Sequence, residues 1–287
     1  DLCRRQRQMC IRDRAIAMYG IEEGLIDWNF SIFDEGFFTL PEDGRIYRDW
    51  KEGGHGDTNL FKAITQSSNT YFFDLAYRSD INQLNKHLSS LGFGDKACID
   101  CFEEDQVFVP EPSWKMNKHN FGWFKGDTVN MGVGQGYLVS TPIQLAKYAY
   151  IIANKGKFSD LSLKKDLVKS EKSIEFNKFS NDDWFKLHES MVNVIEGNTG
   201  TARRLREKKN YIVAAKTGTA ELVSGDNREQ YSETRLDDSL RDHALIIAFG
   251  PMPNPRYAVS VVVENGESGG SVAGPVAISV LNSLIQE

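Results

Sequence analysis

With 287 residues, 40% of them apolar, the chain is long enough for one large domain with a real core. A net charge of −6 and the lack of any visibly basic face argue against nucleic acid as a partner. No run of about 18 apolar residues occurs, so nothing in the sequence reads as a membrane-spanning helix, and no signal peptide is legible.

Residues 1–14 differ from the rest: Leu2 to Arg14 carries five arginines and no coherent helical face. Met9 to Arg14 (Met-Cys-Ile-Arg-Asp-Arg) resembles a translated sequencing adaptor. The expectation is therefore a foreign stretch over 1–14 and a fold carried by residues 15–287. Ala15 to Ile26 reads as the later turns of a helix, with Gly24 near its end. Residues 28–57 read as an aromatic, glycine-rich loop. Asp57 or Thr58 is the expected N-cap of a helix over about 59–66. Ser67-Ser68-Asn69 then occupies a helix–helix turn.

Another amphipathic helix is predicted over 81–91, stopped by Gly92 and Gly94. Residues 95–125 read as irregular surface. Within them, Cys98-Ile-Asp-Cys101 is a lone C-x-x-C, open to a small disulfide or to two free thiols. The glycine-dense 126–136 does not fit a dinucleotide fingerprint and reads as close chain packing. Thr141 caps a helix with Pro142 at its first position. Asp183 to Ile195 is a further helix, Gly200-Thr201-Ala202 a turn, and the cationic run Arg203 to Lys209 a solvated one.

Tyr211 to Ala215 reads as a buried strand that delivers Lys216-Thr217-Gly218-Thr219 to a cleft. After a polar excursion over 223–241, strands at His243–Phe249 and Tyr257–Glu264 and a final helix over 274–285 close the chain. Helices first, then three adjacent antiparallel strands, predict an α+β fold with helices covering a sheet. His119, His188 and His243 stand alone and are assigned structural roles.

Ser67-x-Asn69 followed by Lys216-Thr217-Gly218 resembles the second and third motifs of the serine acyl-transferases that include β-lactamases and penicillin-binding proteins. Tyr-Arg-Asp-Trp (47–50), Gly-His-Gly (54–56), Gly-Asp-Thr, Gly-Gln-Gly and Thr-Pro within 126–142, and Ala-Ala-Lys-Thr-Gly-Thr-Ala (214–220) narrow this. They are similar to the penicillin-binding protein 2 family, the elongation-specific peptidoglycan DD-transpeptidases. The resemblance implies a β-lactamase/transpeptidase-like fold and a serine acyl-enzyme.

In that scheme Ser67 relays a proton to the leaving amine and Lys216 supplies positive potential. Asn69 holds the acyl-side amide. The Thr217 and Thr219 hydroxyls bind the terminal carboxylate beside Gly218, and the Thr219 N–H serves as an oxyanion donor. The first motif, Ser-x-x-Lys, occurs only at Ser162–Lys165, out of order and in a polar segment, and is read as accidental. By family order the nucleophile falls just before Ala15. The chain is thus expected to lack it, together with a preceding membrane anchor, and to be inactive alone.

Asp34, Asp49 and His55 are candidate zinc ligands, since some relatives complete such a site with a cysteine in the middle of the S-x-N motif. Here that position is Ser68, a poor zinc donor. An Asp49–His55 hydrogen bond ordering the loop is the preferred reading. Implied partners are stem peptides, β-lactams and a membrane glycan polymerase, at the periplasmic face of an inner membrane. A non-catalytic peptide-binding or polymerase-binding module and a β-lactamase are the competing readings.

Overall fold

A computed structural model describes residues 11–105, 107–165, 170–220 and 241–286. In chain order these form α1 (Asp13–Glu23), β1 (Ser31–Asp34), β2 (Phe37–Thr39), β3 (Ile46–Arg48), β4 (Gly56–Asn59), α2 (Leu60–Gln66), α3 (Asn69–Arg78) and α4 (Ile81–Ser90). They continue with α5 (Pro112–His119), α6 (Lys125–Gly132), α7 (Pro142–Ala153), β5 (Lys157–Phe158), β6 (Lys172–Ser173) and α8 (Asn181–Glu196). The chain closes with β7 (Ala214–Ala220), β8 (His243–Gly250), β9 (Tyr257–Val263) and α9 (Gly274–Gln286). The predicted polar excursion lies outside the described residues, apart from Arg241.

The organising sheet is β7-β8-β9, antiparallel throughout. Side chains alternate across its two faces. Leu245, Ile247 and Phe249 of β8 join the large cluster formed with helices α1 to α4, α7 and α8. Ala244, Ile246 and Ala248 join a second cluster with Ala273, Ala277, Ile278 and Leu281 of the C-terminal helical segment. The sheet is therefore covered on both faces, which explains why β8 reads as one continuous apolar run rather than an alternating one. Ala214 and Ala220 belong to the large cluster, whereas Val213 and Ala215 belong to the second. That alternation sends Lys216 toward the face covered by the large cluster.

Local chemistry sets the helix ends. Asn59 caps α2 by accepting from the Lys62 amide at 3.0 Å. Thr141 and Gln144 form a capping box at α7 with Pro142 in the first turn, as the sequence predicts. Ser180 and Asp183 do the same at α8, where Asp183 also accepts from the Trp28 indole at 2.8 Å.

Helix α1 starts at Asp13, so it is already under way at Ala15, as the sequence predicts, and Arg12 donates to the Leu138 carbonyl at 3.0 Å and to Ser140 Oγ at 2.9 Å. Three expectations need correcting. Residues 28–57 are not simply a loop: β1 pairs with β4 and β2 with β3. Strands this short, with Phe33 and Phe37 turned outward, leave no readable alternation. Residues 95–125 contain the short helix α5, begun by Pro112. The N-cap of α2 is Asn59, not Asp57 or Thr58.

His87 on α4 sits edge-on to Tyr19 and near Phe176, and its Nε2 is sealed from solvent without a partner. Burial lowers its pKa to about 4. Protonation therefore occurs in the unfolded chain first, near the usual 6.5. Stability is expected to be full above about pH 6.5 and to decline as the pH falls toward 4. Thermal melts of the parent and of His87→Leu across that window check this; parallel pH profiles would refute it.

Candidate active site

The turn between α2 and α3 carries the three polar residues in succession. Ser67 ends α2 in the left-handed region, with φ 61° and ψ 43°, and Ser68 caps α3 by accepting from the Tyr71 amide at 3.3 Å. Helix α2 packs on α8 and α3 on α6, so the turn is held from both sides. Ser67, Ser68 and Asn69 are all buried.

Lys216 reaches this turn across the sheet face. Its Nζ donates to Ser67 Oγ at 2.6 Å and to the Thr217 carbonyl at 2.7 Å, and lies 3.7 Å from Asp13 Oδ2. Lys216 is fully buried. A buried ammonium persists only where oxygens surround it, and here a hydroxyl, a carbonyl and a carboxylate do so. Lys216 is not at a strand tip, as the apolar run suggested. It lies inside β7, opposite Ile247 of β8.

Thr217 and Gly218 are buried and Thr219 is half-buried on the same strand. The Thr217 hydroxyl exchanges a hydrogen bond with Thr201 at 2.8 Å. Sequence reasoning saw Thr201 only as part of a turn. Among the described residues β7 pairs on one side only, with β8, leaving an edge on which an extended peptide can lie.

Asp34, at the end of β1, receives His55 Nδ1 at 2.8 Å and the Ser68 hydroxyl at 2.7 Å on one oxygen, and the Gly36 amide at 2.8 Å on the other. Burial alone would raise its pKa, but these hydrogen bonds outweigh it and bring it down to about 2. Asp49 Oδ2 receives the amides of Asn69 and Thr70 at 2.6 and 3.0 Å, and its other oxygen receives the Lys51 amide at 3.1 Å. The expected Asp49–His55 hydrogen bond is not formed: that pair is 3.8 Å apart, and Asp34 takes the imidazole instead. Gly54 permits this arrangement, since at φ +70° a Cβ there would collide with the Asp34 carbonyl.

Donor atoms of Asp34, Asp49 and His55 come within 4.8 Å of one another, as a metal site requires. The donor set nevertheless does not suit zinc. The oxygens already accept hydrogen bonds, His55 Nδ1 faces a carboxylate as a donor, and the fourth position is the Ser68 hydroxyl.

Other flagged residues lie elsewhere. Cys98 and Cys101 form a disulfide, Cα–Cα 5.3 Å, settling a choice that spacing left open. Ser162 of the lone Ser-x-x-Lys donates to Asp100 at 2.8 Å beside that disulfide. His188 bonds to the Ile152 carbonyl, His119 stacks on Tyr137 and His243 accepts from the Asn265 amide. Trp50 went unassigned by sequence reasoning, although its indole donates to the Ser67 carbonyl at 2.9 Å. Its only signal was its place in Tyr-Arg-Asp-Trp.

The family model described as the penicillin binding protein transpeptidase domain matches residues 14–282. The chain is 36% identical over 280 residues to the peptidoglycan D,D-transpeptidase MrdA of Haemophilus influenzae, covering 95% of this chain and 43% of that one. It is 38% identical over 266 residues to the MrdA of Acinetobacter baumannii, covering 90% and 39%. The chain thus spans less than half the length of these curated relatives. Among solved structures it resembles Pseudomonas aeruginosa PBP2 in complex with WCK 5153, with TM-score 0.87, 33% identity, and 99% and 62% coverage. It also resembles PBP2 in the PBP2–MreC complex of Helicobacter pylori, with TM-score 0.86, 30% identity, and 98% and 50% coverage. The chain belongs to the penicillin-binding protein transpeptidase domain family and is of the penicillin-binding protein 2 type.

Proposed function

We propose that this domain belongs to a peptidoglycan DD-transpeptidase of cell-wall elongation, and that Ser67, Asn69 and Lys216 serve its acyl-transfer step. The observation carrying this reading is the 2.6 Å contact between Lys216 Nζ and Ser67 Oγ. Because the ammonium donates to Oγ, the serine's own hydrogen is directed elsewhere, toward whatever occupies the groove. A serine hydroxyl, passing its proton to the lysine of its own Ser-x-x-Lys motif, attacks the carbonyl of the penultimate D-alanine, and the bond to the terminal D-alanine nitrogen breaks. That nitrogen takes its proton from Ser67, Lys216 restores it, and the motif lysine's proton makes good Lys216. An acceptor amine on a neighbouring stem peptide then displaces the serine ester, its proton returning to the departing serine oxygen.

In the same reading Asn69 holds the acyl-side amide. Thr217 and Thr219 bind the terminal carboxylate along the free edge of β7, and Gly218 leaves room for the peptide to approach. The nucleophile is assigned to none of the described residues. The whole enzyme works at the periplasmic face of the inner membrane, binds β-lactams as stem-peptide mimics and joins a glycan polymerase. A partner like the MreC bound by the Helicobacter pylori protein is proposed as well. No helix of the described residues is long and apolar enough to cross a membrane.

Fluorescent penicillin applied to the full-length gene product tests this. A stable covalent adduct is expected. Rapid release of the label would indicate a β-lactamase, and absence of labelling a binding module; either result overturns the proposal.

A further inference from the structure

Ser67 carries a Cβ yet sits at φ 61°. Such a conformation is disfavoured and persists only where the surroundings over-determine it. Part of this is local, since the Ser67 and Ser68 amides both donate to the Ala63 carbonyl that closes α2; the rest comes from one module, the paired strands β1–β4 and β2–β3. Four consecutive residues of the turn are tied to it. The Ser67 carbonyl accepts from the Trp50 indole at 2.9 Å, and the Ser68 hydroxyl donates to Asp34 at 2.7 Å. The Asn69 and Thr70 amides both donate to Asp49 Oδ2, joined by the Thr70 hydroxyl at 3.3 Å.

We infer that Asp34, Asp49 and Trp50 are positioning residues that hold Ser67 in its left-handed conformation, aiming its hydroxyl at Lys216, and that they do so through hydrogen bonds without a metal ion. This rests on the reading of Ser67 as the proton relay, but its parts are separable. The carboxylate oxygens that face His55 are already occupied, Asp34 Oδ2 by the Ser68 hydroxyl and Asp49 Oδ1 by the Lys51 amide. His55 completes the arrangement through Nδ1, 2.8 Å from Asp34 Oδ2; an ionised carboxylate can only accept, so Nδ1 carries the hydrogen. Metal at Nδ1 would displace that proton and the bond it makes. Trp50 is 56% exposed and also meets His55 edge-on at 5.5 Å, so its indole can be altered with little loss of core.

The test uses the 287-residue chain, isotopically labelled and purified from zinc-supplemented medium. Zinc is counted by mass spectrometry, and Ser67 Cα and Cβ shifts with its amide–Hα coupling report the left-handed backbone. The expected result is well under one zinc per chain and a left-handed Ser67. That signature should be lost in Trp50→Phe and Asp49→Ala, which stay folded by thermal melt. It should be retained in Asp49→Asn, which keeps an acceptor oxygen for the two amides but not a carboxylate ligand. One zinc per chain, with chelation abolishing the signature, would overturn the inference. So would an unchanged Ser67 signature in both Trp50→Phe and Asp49→Ala. Neither readout depends on acyl transfer, so failure here is distinct from failure of the proposed function.

Discussion

Replacing Lys216 with methionine will slow acylation of the whole enzyme by penicillin about 10³-fold, within the range for a lost proton-transfer partner. Methionine fills nearly the volume of the lysine stem, so the buried slot is not emptied. What disappears is the ammonium 2.6 Å from Ser67 Oγ. In the mechanism proposed above, the serine then cannot be re-protonated after giving its hydrogen to the leaving amine, and the potential assigned to the substrate carboxylate is gone. The Asp13 carboxylate, 3.7 Å away, loses one of its two cations and keeps Arg14, so some fall in melting temperature accompanies the change. Acylation rates with a fluorescent penicillin and a thermal melt separate the two effects. A loss below about tenfold would show that Lys216 is not the partner proposed here.

How this site was legible follows from which interactions are local. The Lys216 strand and the three-strand sheet were readable because a strand covered on both faces is an unbroken apolar run, as in Leu245 to Phe249. The capping of α7 was readable because Thr141, Pro142 and Gln144 act within one turn. The pairing of Ser67 with Lys216 bridges 149 residues and came only from the family motifs, since no pattern of period 2 or 3.6 encodes it. The β1–β4 module was missed for the same reason. Its strands are three or four residues long, and its task is to place Asp34, Asp49 and Trp50 under the turn rather than to bury apolar surface. The choice of Asp34 over Asp49 for His55 depends on angstrom-level geometry that spacing does not hold.

Gly132→Val is expected to destabilise the domain by about 3 kcal/mol, the upper part of the usual cost of overpacking. Gly132 ends α6 where that helix crosses α3. A Cβ there would be 2.9 Å from the Phe72 carbonyl and closer still to the Ala76 methyl. Neither can yield, because one is helix backbone and the other is a side chain with no rotamer to change. The helices must separate. For a domain of this size that loss lowers the melting temperature by roughly 6–12 °C. The consequence reaches the site, because α3 begins at Asn69 and moving it shifts the turn. Gly132→Ala should show the same effect at smaller size. A melting temperature for Gly132→Val within about a degree of the parent would refute the close-packing argument.

The most direct check on the hydroxyl–ammonium pair is the acylation rate of the whole enzyme in four forms: parent, Ser67→Ala, Lys216→Met and the double variant. If the two side chains form one proton-transfer unit, the double variant will be no slower than the slower single variant, as expected for residues acting together. If the two losses multiply instead, Ser67 and Lys216 work independently and the site described here is not the one that carries the chemistry.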